Sequence, residues 1–293
     1  MNRAHPLRAS RAPSRGHTRR PGKAGSSGVA GSNPGQWAGL CLLAIVGAAQ
    51  AGRPCEDKPL TPRQIEQGMN LAEATAQRLD ASGAQVVLLA RAGQDLGKYG
   101  LQWSHLGFAY RDPDATRPVW RVLHKLNHCG TARGDLFRQG LGEFFLDRPQ
   151  RYEAAYAVLT PALQQALLPL LRDNARAAAL HEPRYSMVAY AWGRSYQQSN
   201  QWALETLAAA AQPGLHERGA AQQWLQAQGY APTVLQLSTA SRLGARIGMA
   251  HVAFDDHPGA QRFAGKIATV TVDSIFAWLP RAGMGQRAES IQQ

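Results

Sequence analysis

Two histidines and one serine stand where their chemistry could be combined. His105 lies near the start of an extended run, Trp103–Tyr110, and His124 near the end of a second, Val119–Lys125. Between them, Arg111-Asp-Pro-Asp-Ala-Thr-Arg-Pro118 is a polar, proline-bearing turn, so the two runs should form a hairpin. A register in which partner numbers sum to 229 sets Tyr110 opposite Val119 and His105 opposite His124. Directly opposed side chains share one face of a sheet, with Cβ atoms about 4.5–5.5 Å apart. One imidazole can then act as a base while the other holds its second ring nitrogen. A slip of one residue would part them, and two half-buried strand histidines would read the same way.

The nucleophile must come from another element, and Ser199 is the candidate. It stands in Tyr196-Gln-Gln-Ser-Asn-Gln-Trp-Ala-Leu-Glu205, at a predicted helix start. Unpaired backbone N–H groups and the helix dipole favour a developing anion there. Tyr196, Asn200 and Gln201 flank it as candidate binding residues. Ser and Asn are also preferred N-caps, so a structural role fits the same letters.

Other constellations are weaker. Gly93-Gln-Asp-Leu-Gly97-Lys98-Tyr99 has three residues between its glycines and Tyr after the Lys, where a phosphate loop needs four and a Ser or Thr. Asp255-Asp256-His257-Pro suits a turn better than a metal site, because adjacent side chains seldom converge on one ion. His181-Glu182-Pro lacks the second helical histidine of a zinc protease motif. Neither a metal nor a cofactor is expected.

The elements that must position these groups follow from local pattern. Thr61-Pro62-Arg63-Gln64 is a capping box that opens a helix to about Asp80, ended by Ala81-Ser82-Gly83. Gln85–Ala90 is a continuous apolar run of strand length, which implies a buried strand. Gly130–Leu146 reads as loop with a short helix, and Tyr152–Leu159 as a strand. Thr160-Pro161 opens a helix that Pro169 should kink or interrupt. Tyr185–Trp192 reads as a strand, followed by helices from Ser199 to about Ala211 and over His216–Gln228. Thr233–Leu237, Ala250–Phe254 and Thr269–Val272 read as short strands, with helices at Ser241–Ile247 and Asp273–Leu279. This mixture implies an α+β fold with helices against a largely antiparallel sheet.

The first fifty residues read as an address. The formal net charge is +12, but Arg3, Arg8, Arg11, Arg15, Arg19, Arg20 and Lys23 stand in residues 1–51 with no acid. That leaves 25 of the 32 basic residues against 20 acidic ones, an ordinary surface that gives no reason to expect nucleic acid. Trp37–Ala51 is an apolar run of fifteen residues, where a membrane span needs about 20. With Ala49-Gln50-Ala51 as a small–x–small site, it predicts a signal peptide cleaved before Gly52 and no stable span afterwards. The expected location is periplasmic or secreted. Two cysteines then remain, Cys55 and Cys129, and an oxidising compartment predicts a disulfide between them. The alternative is Cys129 as a nucleophile in Asn-His-Cys-Gly-Thr. The expected organisation is 1–51 basic region and signal peptide, 52–83 N-terminal segment and helix, 84–281 α+β domain, and 282–293 flexible tail.

Short motifs carry a resemblance. Ser104-His105-Leu-Gly-Phe resembles the Ser-His-Val-Gly-Ile strand of papain-like hydrolases of the NlpC type, and Arg121-Val-Leu-His124 resembles their next strand. Ser199-Asn-Gln-Trp-Ala is similar to the Cys-Ser-Glu-Leu-Val helix start of the circularly permuted branch, in which the histidine strand precedes the nucleophile helix. The chain beyond the leader also resembles a bacterial family of exported proteins of unknown function. The resemblance implies a permuted papain-like domain with His105 as base, His124 as orienting group and Ser199 at the nucleophile position. It implies an amide or ester hydrolase, or acyltransferase, acting on an envelope peptide, glycan or lipid. Serine in place of cysteine is a departure, because a hydroxyl needs concerted proton removal where a thiol ionises. A catalytically inactive envelope-binding module is the alternative.

Overall fold

The computed structural model describes residues 59–112 and 119–292. The expected signal segment, Cys55 and residues 113–118, where the turn is expected, lie outside the described residues. The chain forms α1 (Pro62–Ala81), β1 (Val86–Arg91), β2 (His105–Asp112), β3 (Val119–Asn127), β4 (Gly134–Gly140), α2 (Leu141–Phe145) and β5 (Glu153–Val158). It continues with α3 (Pro161–Arg172), α4 (Asn174–Ala177), α5 (Ser199–Ala211), α6 (Arg218–Ala227), β6 (Thr233–Gln236), α7 (Thr239–Gly248), α8 (Gly259–Phe263), β7 (Lys266–Thr269), α9 (Val272–Trp278) and β8 (Glu289–Gln292).

Six strands make one sheet in the order β4-β3-β2-β1-β5-β8, and β6 pairs with β7 in a second. The strand pairings are antiparallel throughout. β1 runs through the middle of the large sheet and is buried on both faces, which explains its unbroken Val-Val-Leu-Leu-Ala sequence. Leu71 and Leu79 of α1 and Phe144 and Phe145 of α2 cover one face. α3, α5, α6 and α9 cover the other, with Leu167, Trp202, Leu225 and Trp278 in its core. The fold is therefore α+β in three layers.

Several expectations need correction. Residues 134–140, read as loop, form β4. Residues 282–293, read as a flexible tail, supply β8, which pairs with β5 from Glu153↔Gln292 to Tyr156↔Glu289. α3 continues through Pro169 to Arg172. Thr269–Val272 is not one strand: β7 ends at Thr269, and Thr271 caps α9 through a box with Ser274.

The largest difference is Tyr185–Trp192, which is not a strand. It makes an isolated bridge, Tyr190↔Thr269, and its backbone groups are claimed by distant side chains. Asp256 Oδ2 accepts from the Tyr190 N–H at 2.8 Å, and Thr269 Oγ1 donates to the Ala189 carbonyl at 2.9 Å. His257 Nε2 meets the Val188 carbonyl at 2.8 Å, and Gln201 Nε2 donates to the carbonyls of Tyr190 and Ala191 at 3.2 Å each. Every backbone polar group needs a partner, and here side chains replace a neighbouring strand. Ala250–Phe254 likewise runs as turn and irregular chain.

Candidate active site

The hairpin register pairs Phe108↔Leu123 and Tyr110↔Arg121, so partner numbers sum to 231 rather than 229. The shift is two residues, and an even shift keeps each side chain on its face. His105 and His124 are therefore diagonal neighbours, and Gly107 takes the place opposite His124. That position has no room for a side chain. A Cβ there would lie 2.8 Å from His124 Cβ, 3.0 Å from Val122 Cγ1 and 3.1 Å from the Leu123 carbonyl. The bare backbone lets the two rings meet over it, with His105 Nε2 and His124 Nδ1 2.7 Å apart.

A third residue fixes the proton positions. His124 Nε2 lies 2.7 Å from Gln139 Oε1 on β4. The amide oxygen accepts only, so His124 carries its proton on Nε2 and accepts at Nδ1. His105 then donates from Nε2 to His124. Burial first, and the Arg91 charge second, push His124 down to about 3. Phe144 closes the pair from α2, with its ring centroid 5.2 Å from that of His124. Arg91 pairs with His105 across the β1–β2 ladder, stacks on Phe144 and bonds the Phe144 carbonyl and Asp147.

Two histidines held below their ordinary range, His124 buried and His181 half-buried, predict a fold that weakens in acid. His124 at about 3 and His181 at about 4 both sit below the ordinary 6.5. The unfolded chain therefore binds more protons between those values, and stability falls as pH drops from 6.5. The expected slope is about 1.4 kcal/mol per pH unit for each group. Urea midpoints at pH 7 and pH 5 check this, and His124→Asn should remove part of the slope.

Ser199 is the first residue of α5. Gln198, not Ser199, caps this helix, with its Oε1 accepting from the Asn200 N–H at 3.2 Å. Gln198 Nε2 is tied to Thr269 Oγ1 at 3.0 Å and to the Val270 carbonyl. The Ser199 hydroxyl is thus not spent on capping, and its Oγ meets Tyr185 Oη at 3.5 Å. The histidine rings lie on the sheet face that carries α2, whereas α5 packs on the opposite face through contacts such as Trp202 on Phe108. Ser199 and His105 share space at the end of the sheet. Both line one cavity of about 570 Å³, together with Arg91, Ser104, Tyr185 and Asn200.

The remaining expected residues divide. Asn200 lines the cavity, and its Oδ1 is buried with no hydrogen-bond partner among the described residues. Gln201 is fully buried and clamps the 190–191 carbonyls, so it is structural. Tyr196 is away from the cavity wall, with its hydroxyl donating to Asp255. Asp256 and His257 are spent on Tyr190 and Val188, as above. Ser104 accepts from the N–H groups of Gly93 and Gln94 at 2.8 and 3.1 Å and pins the loop after β1. Cys129 lines the cavity, and its expected partner Cys55 lies outside the described residues.

Beneath α5 lies a buried polar cluster. Glu205 accepts from Gln197 Nε2 at 2.6 Å, Arg218 Nε at 2.7 Å and Gln222 Nε2 at 2.7 Å. Gln197 in turn accepts from Lys125 Nζ at 2.9 Å, and Lys125 also donates to the Glu182 carbonyl. Burial, with Arg218 nearby, lowers Lys125 to about 7. These bonds fix the turn that delivers Ser199.

The family model described as "Uncharacterized protein conserved in bacteria (DUF2145)" matches residues 78–279, more than half of the chain. The chain belongs to the DUF2145 family. Comparison with curated proteins and with solved structures finds no match. The DUF2145 match spans His105, His124, Gln139 and Ser199, as well as the polar cluster below α5. No helix among the described residues is long and apolar enough to cross a membrane.

Proposed function

We propose that this DUF2145 protein is an exported amide or ester hydrolase, or acyltransferase, on a permuted papain-like fold, acting on a cell-envelope component. The observation that carries the reading is the chain His105–His124–Gln139, held at 2.7 Å in both links, with His105 and Ser199 on the wall of one cavity. The reading requires a substrate carbonyl seated in that cavity at the end of the sheet, because Ser199 and His105 come to it from opposite faces. His105 takes the Ser199 proton at Nδ1 while Oγ bonds to the carbonyl carbon. The imidazolium keeps its Nε2–H on His124 through a charge-assisted bond. The Ser199 N–H at the start of α5 faces the oxyanion, while the Asn200 N–H stays with Gln198. Collapse breaks the bond to the leaving nitrogen or oxygen, which receives the proton from His105. Water or an acceptor alcohol or amine then repeats the sequence on the acyl-enzyme and releases Ser199. Export and the Cys55–Cys129 bond belong to the same reading, supported by the apolar leader and the even cysteine count beyond it.

A fluorophosphonate probe tests it. Labelling of the intact protein, lost in Ser199→Ala and slowed about 100-fold or more in His105→Ala, is the expected result. The second reading is an envelope-binding module without catalysis. It is favoured by the Ser199 contact with Tyr185 and by serine standing where the resemblance has cysteine. Absence of labelling in the intact protein, at probe levels that saturate a control serine hydrolase, would select it.

A further inference from the structure

We infer that the cavity beside Ser199 takes an extended acyl chain, so that the substrate is an acylated molecule rather than a peptide or a glycan. This rests on the reading of Ser199 and His105 as the reacting end. The cavity walls are divided. Arg91, Ser104, His105, Gln198, Ser199 and Asn200 gather around the end of the large sheet. A second part of the wall comes from the second sheet and its neighbours, with Leu101, Val188, Leu237, Ala245, Val252 and Phe254 facing the space, while Gln94, Lys98, Asn127 and Asp147 line it elsewhere. Most of these apolar residues also form a small cluster of their own, separate from the two cores of the large sheet. The stretch from β6 to Phe254 contributes a single ionisable group to the wall, His251.

A peptide or sugar laid along that wall would lose hydration at many polar groups and regain few bonds. A hydrocarbon chain loses none and gains from each methylene withdrawn from water. The volume, about 570 Å³, falls within the range of roughly 300–1,000 Å³ usual for sites that enclose a small molecule. The polar end suits a carbonyl or carboxylate: Arg91 supplies a cation there, shared with Asp147, and the Asn200 amide supplies a further polar group. An acyl chain with its carbonyl at Ser199 satisfies both halves at once. Glycine, alanine and other small groups on α7 (Gly244 and Ala245) leave the space open where a larger residue would fill it.

The test uses the full exported chain and saturated carboxylic acids of eight to sixteen carbons, competing with a fluorescent fatty acid. Affinity should rise about three- to fourfold per added methylene until the space is full. Ala245→Trp, on an exposed helix, should weaken the longest acids at least tenfold. No binding, or binding that does not depend on chain length, overturns the inference even where Ser199 labels normally. Chain-length-dependent binding without labelling keeps the acyl site and removes the hydrolase reading. The length series needs no variant, so a poorly folded Ala245→Trp does not blunt it.

Discussion

Gly107→Ala should slow fluorophosphonate labelling of Ser199 by about 100-fold or more, and leave a folded protein about 1–3 kcal/mol less stable. The added methyl group meets His124 Cβ at 2.8 Å and the Leu123 carbonyl at 3.1 Å. Neither is the far end of a flexible chain, so the strand or the ring must shift. A shift of either separates His105 Nε2 from His124 Nδ1 and releases the His105 tautomer. Ring-nitrogen NMR gives a second readout, because the His105 Nε2 proton should lose its protection from exchange with water. Labelling at the unaltered rate in a well-folded Gly107→Ala protein would show that the histidine pair does not serve Ser199.

The second large effect is on stability. Glu205→Ala should cost about 3–5 kcal/mol, measured as a fall in the urea-derived unfolding free energy. Glu205 is 1% exposed, and the Arg218 side chain that it neutralises is 10% exposed. Truncation leaves that guanidinium buried without its counter-charge and strips partners from Gln197 and Gln222. Glu205→Gln keeps the shape and one acceptor, and should recover part of the loss. The change also removes the carboxylate that supports a proton on Lys125, so the turn before Ser199 loosens from two sides. A loss below 1 kcal/mol would mean that water reaches Arg218 and that the cluster does not hold α5.

How much of this was legible in the sequence depends on where each residue's partners lie. The capping box at Thr61 and the helix from Ser199 to Ala211 are local signals, and both elements form where the letters place them. The histidine hairpin was legible as a pair on one face, but not its register, because the turn residues do not fix the offset. Gln139 was invisible. Gly-Asp-Leu-Phe-Arg-Gln-Gly has glycine at both ends and no alternation, and it becomes β4 only because β3 offers an edge. Tyr185 was read as a strand residue, yet it delivers its hydroxyl to Ser199. Its segment has the aromatic and apolar content of a strand. The groups that decide its path, Asp256, His257, Thr269 and Gln201, lie 10 to 80 positions away in the chain.

That segment has a consequence for how the protein's selectivity could change over time. Met187 and Val188 form part of the cavity wall, but the Val188 carbonyl is moored by His257 and the nearby Tyr190 N–H by Asp256, two residues from a different stretch of chain that lie outside the wall. A substitution at those moorings would reshape the wall without altering a single wall-forming letter. Lineages could therefore diverge in what they accept while the cavity residues stay the same. A mutant library confined to those residues would miss these positions.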